Sequence, residues 1–110
     1  MTIEIDLSFG AAGPPYEVAV KIQGADDWEL NVRSTFVELT RLRDIRQAIW
    51  SERRSIPAGN SAGGTVFWCA DGDVATVMIG HDDETWDIAV RLPVTAVVRI
   101  ADLAEARHLD

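Results

Sequence analysis

Trp28-Glu29-Leu30-Asn31-Val32-Arg33-Ser34-Thr35-Phe36-Val37-Glu38-Leu39-Thr40-Arg41-Leu42 is the stretch on which the fold turns, because the hydrophobic period changes inside it. Trp28, Leu30 and Val32 alternate with Glu29, Asn31 and Arg33, the period of two that marks a strand with one buried face. Beyond Ser34 the apolar spacing lengthens. Leu39, Leu42, Ile45 and Ile49 fall three to four apart, and Thr35 with Glu38 three residues later fits a capping box at the start of a helix. Arg53 and Arg54 stand where a helix dipole favours cations, and Pro57 with Gly59 stops the run, so the spacing predicts one helix from Thr35 to about Arg54. Arg41, Asp44, Arg46 and Gln47 take its solvent side.

On the N-terminal side, Ile3, Ile5, Leu7 and Phe9 alternate with Glu4, Asp6 and Ser8, and the segment Gly10 to Pro15 ends that strand. Val18, Val20 and Ile22 alternate again and join Trp28 through Gly24-Ala25-Asp26-Asp27, a hairpin connection. On the C-terminal side, Ile56 to Gly64 reads as a flexible connection. Thr65 to Ala70 and Val74 to Gly80 flank the tight-turn signal Asp71-Gly72-Asp73. Trp86, Ile88, Val90 and Leu92 alternate with Asp87, Ala89 and Arg91 in a last strand that Pro93 ends. Val94 to His108 is rich in β-branched residues and admits an extended strand over 94–100. A helix fits better, since Val94, Val97, Val98, Ala101 and Ala104 share a helical stripe and proline is tolerated at a helix start. The expected order is βββαβββα: an antiparallel sheet of about six strands with one long and one short helix on one face, a single α+β domain over 1–110.

The chain has 110 residues, 47% hydrophobic and 25% charged, which suits one globular core. Its one cysteine, Cys69, excludes an internal disulfide and a thiolate zinc site. No apolar run reaches the ~20 residues of a membrane helix, and acids stand early where a signal peptide carries Lys or Arg, so a cytoplasmic location and no membrane contact are expected. The formal charge of −8 repels nucleic acid, whose binding depends on neutralising phosphates. Such a surface attracts a basic protein instead, by steering that salt weakens. Arg41, Arg43, Arg46, Arg53 and Arg54 fall in the helical segment, whereas residues 71–90 are almost wholly acidic. That dipole orients a partner or a second copy, so a homodimer is compatible with it.

The candidate partner-binding residues are accordingly Asp71, Asp73, Asp82, Asp83, Glu84 and Asp87. A metal site built from them is not expected. Asp71 and Asp73 lie in one turn, His81 to Glu84 in the next, and a strand of about seven residues holds the turns about 20 Å apart. His81 beside Asp82 and Asp83 has the makings of a general base but no matching nucleophile. Gly59 to Thr65 lacks the lysine of a phosphate loop and enters a strand rather than a helix. Cys69 reads as a small buried hydrophobe with no adjacent cation to activate it. No catalytic residue and no cofactor is assigned. Trp28 and Trp86 fall on the apolar phase of their strands and read as core, while Trp50 and Trp68 are candidate aromatic anchors for a partner. The rival reading is a small-ligand protein or enzyme with a pocket between sheet and helices, its polar lining supplied by His81 or Asp87.

The strand Trp28-Glu29-Leu30-Asn31-Val32 entering a Leu-rich helix, the hairpin of residues 65 to 80, Trp86 opening the final strand and Leu92-Pro93 leading into a terminal helix together resemble small bacterial, often actinobacterial, proteins of unknown function and the related immunity proteins of polymorphic toxin systems. The resemblance is one of layout over most of the chain and carries no active-site residues. It implies an intracellular binder that blocks a cognate toxin, commonly a basic nuclease, by charge and shape.

Overall fold

The computed structural model describes residues 3–10, 13–24, 28–82 and 85–109. Seven strands form one antiparallel sheet in chain order: β1 Ile3–Phe9, β2 Val18–Gly24, β3 Trp28–Ser34, β4 Ile56–Ser61, β5 Gly64–Asp71, β6 Val74–Gly80 and β7 Trp86–Pro93. The helices are α1 Phe36–Thr40 and α2 Val94–Leu109. The α+β class is as expected, with one strand more than the sequence suggested. No helix among the described residues is long and apolar enough to cross a membrane.

Alternation sets the layers. Ile5, Leu7 and Phe9 of β1 stand opposite Ile22, Val20 and Val18 of β2, which face Leu30 and Val32 of β3. The same face continues through Val66, Trp68, Val77 and Leu92, and it buries Leu39, Leu42, Ile45, Val97, Ile100 and Ala104 of the helical layer. The terminal segment, expected as the short helix, is helical over 16 residues and is the longer of the two, with Val94, Val97, Ala101 and Ala104 buried on the expected stripe.

The long helix predicted from Thr35 to Arg54 is broken. Its cap is present, since Thr35 Oγ1 accepts from the Glu38 N–H at 3.2 Å, but the α-helix ends at Thr40. A 3₁₀ segment, Arg41–Gln47, follows, with Asp44 off helical geometry (φ −92°, ψ 18°), and a short turn Trp50–Glu52 closes on Arg53 in the left-handed region. The physical reason lies in the spacing of the residues that become buried: Leu39, Leu42, Ile45 and Ala48, three apart each time. Residues at i and i+3 align on one line in a 3₁₀ helix, whereas an α-helix would rotate that stripe away from the sheet.

The segment expected to be a flexible connection is also a strand. Ile56–Ser61 lies between β3 and β5, an unusual interior place for proline and glycine. It is accommodated as an irregular strand. It shares only the Arg33–Asn60 position with β3, and its register to β5 shifts between Pro57 and Asn60. Gly59 has φ +92°, and a Cβ there would overlap Val32 Cγ1 and come within 3.0 Å of the Arg33 carbonyl oxygen. The irregularity leaves the Ala58 carbonyl in the interior, where the Trp68 indole N–H donates to it at 2.9 Å. Trp68 is therefore wholly buried and is no surface anchor.

Two stability outcomes follow from this packing. Ile45→Ala, removing a fully buried side chain from the 3₁₀ stripe, should cost about 2–5 kcal/mol in urea unfolding. Gly59→Ala should cost about 1–3 kcal/mol from backbone strain alone, and its Cβ overlap adds to that; a melting temperature equal to the parent's would show that β4 does not need this conformation.

Candidate partner-binding surface

Carboxylates stand at both ends of β6. At one end Gly72 supplies the positive φ (+59°) of the Asp71–Asp73 turn. Asp71 is exposed, and the Asp73 side chain is 98% exposed, its carboxylate 3.8 Å from Arg46. The Asp73 backbone carbonyl meanwhile accepts from the Val94 N–H at 2.9 Å, tying the turn to the start of α2. At the other end Asp82 Oδ1 accepts from the Thr85 N–H at 2.7 Å, and the His81 N–H donates to the Thr85 carbonyl at 2.9 Å. Asp83 and Glu84 lie outside the described residues. The seven residues of β6 separate the two turns, about 20 Å at ~3.3 Å per residue. The acids do not converge, and among the described residues no group of three His, Cys, Asp or Glu is placed to hold a metal.

Asp87 occupies a β-bulge. Ile79 pairs with Ile88, but Gly80 pairs with Trp86, so β7 carries one extra residue at this point. The extra residue reverses the phase. Trp86, expected to point into the core with Ile88, Val90 and Leu92, stands beside Gly80 on the opposite face and is 38% exposed. Gly80 is required here, since a Cβ would overlap the Thr85 carbonyl oxygen and the Trp86 Cα. Trp28, by contrast, is half-buried against the core as expected.

On that outer face Trp86 meets Trp50 edge to face, with centroids 5.8 Å apart and planes at 81°, and the Arg53 guanidinium lies 4.7 Å from the Trp50 centroid. Trp50 is thus half-buried in an aromatic pair at the surface. Cys69 and Met78 share this face, with Phe67, and each is only 2% exposed while standing outside the main core. The β5–β7 half of the sheet accordingly carries a second, smaller apolar cluster on its outer face. Its β2–β3 half is polar outside: Gln23, Asn31 and Lys21 all reach Glu29, at 3.2, 3.1 and 3.4 Å. The Asn31 hydrogen bond, helped by Lys21, holds the Glu29 carboxyl below the ordinary carboxylate range. Its contribution to stability is present above the unfolded-state value and fades as pH falls through the folded one.

Two surface clefts bear on the candidate residues. One, of about 440 Å³, lies at the end of the sheet between the β4–β5 turn and the β6–β7 connection, lined by Ser61, Gly63, Thr65, His81, Asp87 and Ile88 among others. It brings His81 and Asp87 together, but at the sheet's end rather than between sheet and helices. The other, of about 510 Å³, has Arg41, Arg53 and Arg54 around Ala48, Ile56 and Pro57. Most arginines of this segment meet acids: Arg43 bonds Glu105 and lies 2.9 Å from Asp102, and Arg41 and Arg54 each sit 3.9 Å from a glutamate. The expected dipole is thereby partly neutralised within the chain.

The feature hidden from sequence reading is the bulge, because alternation continues unbroken from Leu92 to Trp86. If the Trp50–Trp86 pair holds the outer cluster, a double-mutant cycle of Trp50→Ala and Trp86→Ala in chemical unfolding should return about 0.5–1.5 kcal/mol of coupling. A coupling indistinguishable from zero would mean the rings are neighbours without an energetic link. In comparisons with known proteins, no family model, no curated protein and no solved structure matches this chain.

Proposed function

We propose that the chain is a small acidic protein-binding domain of the inhibitor or immunity type, acting in the cytoplasm, whose carboxylate-bearing turns receive a basic protein. The observation that carries this reading is the exposure of Asp71, Asp73, Asp82 and Asp87 at the two ends of one hairpin. Charges held in solvent contribute little to the fold itself. They are placed to steer a cationic surface and to orient it along the hairpin. The exposed ring of Trp86 beside Asp87 adds the apolar contact that charge alone lacks. The same arrangement suits a protein whose partner ordinarily grips nucleic acid, because carboxylates spaced about 20 Å apart along one hairpin offer negative charge to two points of the partner's basic groove.

A second reading, a small-ligand or catalytic role, is favoured by one observation: His81 and Asp87 line the same cleft with the hydroxyl-bearing Ser61 and Thr65. Charge reversal separates the two. After a partner is captured by tagged pull-down at low salt, the combined variant Asp82→Lys, Asp83→Lys and Glu84→Lys should weaken binding at least about tenfold and flatten its salt dependence, read by calorimetry. Undiminished affinity would sink the acidic-surface reading. A library compound that raises the melting temperature of the parent but not of His81→Ala would favour the cleft instead.

A further inference from the structure

Strand β7 is an open edge. Among the described residues it pairs with β6 alone, and Trp86, Asp87, Ile88 and Ala89 are all exposed, Ile88 at 51%. An uncovered edge with apolar side chains is a template for another strand. The opposite edge, β1, is protected, because Glu4 and Asp6 alternate along its exposed side and two such strands meeting would set carboxylate against carboxylate.

We infer that a second copy of this chain occupies the β7 edge, the two β7 strands pairing antiparallel about a twofold axis through Ala89. The backbone supplies the first argument. Pro93 stands opposite Val74, and the next residue, Val94, donates its N–H to Asp73, so Pro93 sits in a non-hydrogen-bonded position of the β6–β7 ladder. By alternation Leu92 and Val90 turn their backbone groups to β6, while Arg91 and Ala89 present N–H and C=O to the free edge. Two such edges bond only when outward groups meet outward groups, which requires the axis to pass through a residue and not between two.

Side chains choose which residue. With the axis at Ala89, Asp87 faces Arg91 of the second copy and Arg91 faces its Asp87, so two opposite-charge pairs form. On the other face Ile88 meets Val90 of the second copy, burying the most exposed apolar side chain of the strand. An axis at Ile88 or Val90 separates Asp87 from Arg91, and one at Arg91 sets two guanidiniums against each other. Asp87 and Arg91 make no ion pair with any described residue, so neither must be taken from an internal partner. Ala89 is small enough for close approach at the axis. The bulge at Asp87 bends β7 at one end of this ladder and Pro93 lacks a donor at the other, which limits the pairing to Asp87 through Arg91.

Analytical ultracentrifugation of the full chain alone, with no partner protein added, tests this. A dimer is expected, and Asp87→Lys and Arg91→Glu should each raise its dissociation constant about tenfold, since each turns two attractions into repulsions. The charge swap carrying both substitutions should return it to within about threefold of the parent. Ala89→Pro removes the outward N–H at the axis without touching a bond to β6, and should give a folded monomer by circular dichroism. A parent that stays monomeric into the millimolar range overturns the inference. So do open-ended assemblies, single reversals that associate like the parent, or a swap that fails to restore association. Because no partner is present, a failed dimer leaves the protein-binding reading untouched, and failed partner capture leaves the dimer untouched.

Discussion

The Trp68 indole donating to the Ala58 carbonyl is the contact around which the sheet is assembled. β4 is the weak member of the ladder. It contains a proline and a glycine, shares a single position with β3 and slips register against β5. A strand of that kind in the interior of a sheet leaves backbone groups without ladder partners, and an unsatisfied buried carbonyl costs about 1–3 kcal/mol. Trp68 meets that need from the next strand while filling the centre of the core, so one side chain supplies both volume and the missing donor. The contact ties β4 to β5, and β4 in turn links β5–β7 to β1–β3 in one sheet.

The helical layer follows from the same geometry. The chain leaves β3, crosses the sheet and returns to enter β4, and Ala48 and Ile49 meet β5 at Ala70, just beyond the point where β4 begins opposite Trp68. A 3₁₀ segment rises about 2.0 Å per residue against 1.5 Å for an α-helix, so it spans more distance with the same residues. It also keeps Leu39, Leu42, Ile45 and Ala48 on one line over the sheet. Arg43 then clamps this layer to α2 through Asp102 and Glu105.

Charge is arranged by the hairpins more than by the helices. Most arginines of the helical segment are met by nearby acids, Asp73 among them, and the turns at both ends of β6 are exposed. The turn carboxylates therefore stand at two rims about 20 Å apart, on either side of an open edge strand whose own charges are of both signs. A basic partner at the rims and a second copy along β7 make use of different groups.

Much of this was legible from residue order. Alternation located β1, β2, β3 and β7, the Asp71-Gly72-Asp73 turn signal located β5 and β6, the Thr35–Glu38 spacing located a helix start, and the stripe from Val94 to Ala104 identified α2 despite its β-branched residues, because a period reports which face will be buried. The separation of the acidic turns was readable for the same reason, since a strand's length is nearly proportional to its residue count. Three features were decided only by tertiary structure. β4 became a strand because Trp68, the Val32 side chain and the Arg33 backbone accept its irregular residues, which local propensity opposes. The helix became 3₁₀ because the sheet beneath buries every third residue, and spacings of three and four are too alike for the sequence to choose. Trp86 left the core because one added residue at Asp87 reverses the face of everything before it, and a period of two carries no record of where a partner strand skips.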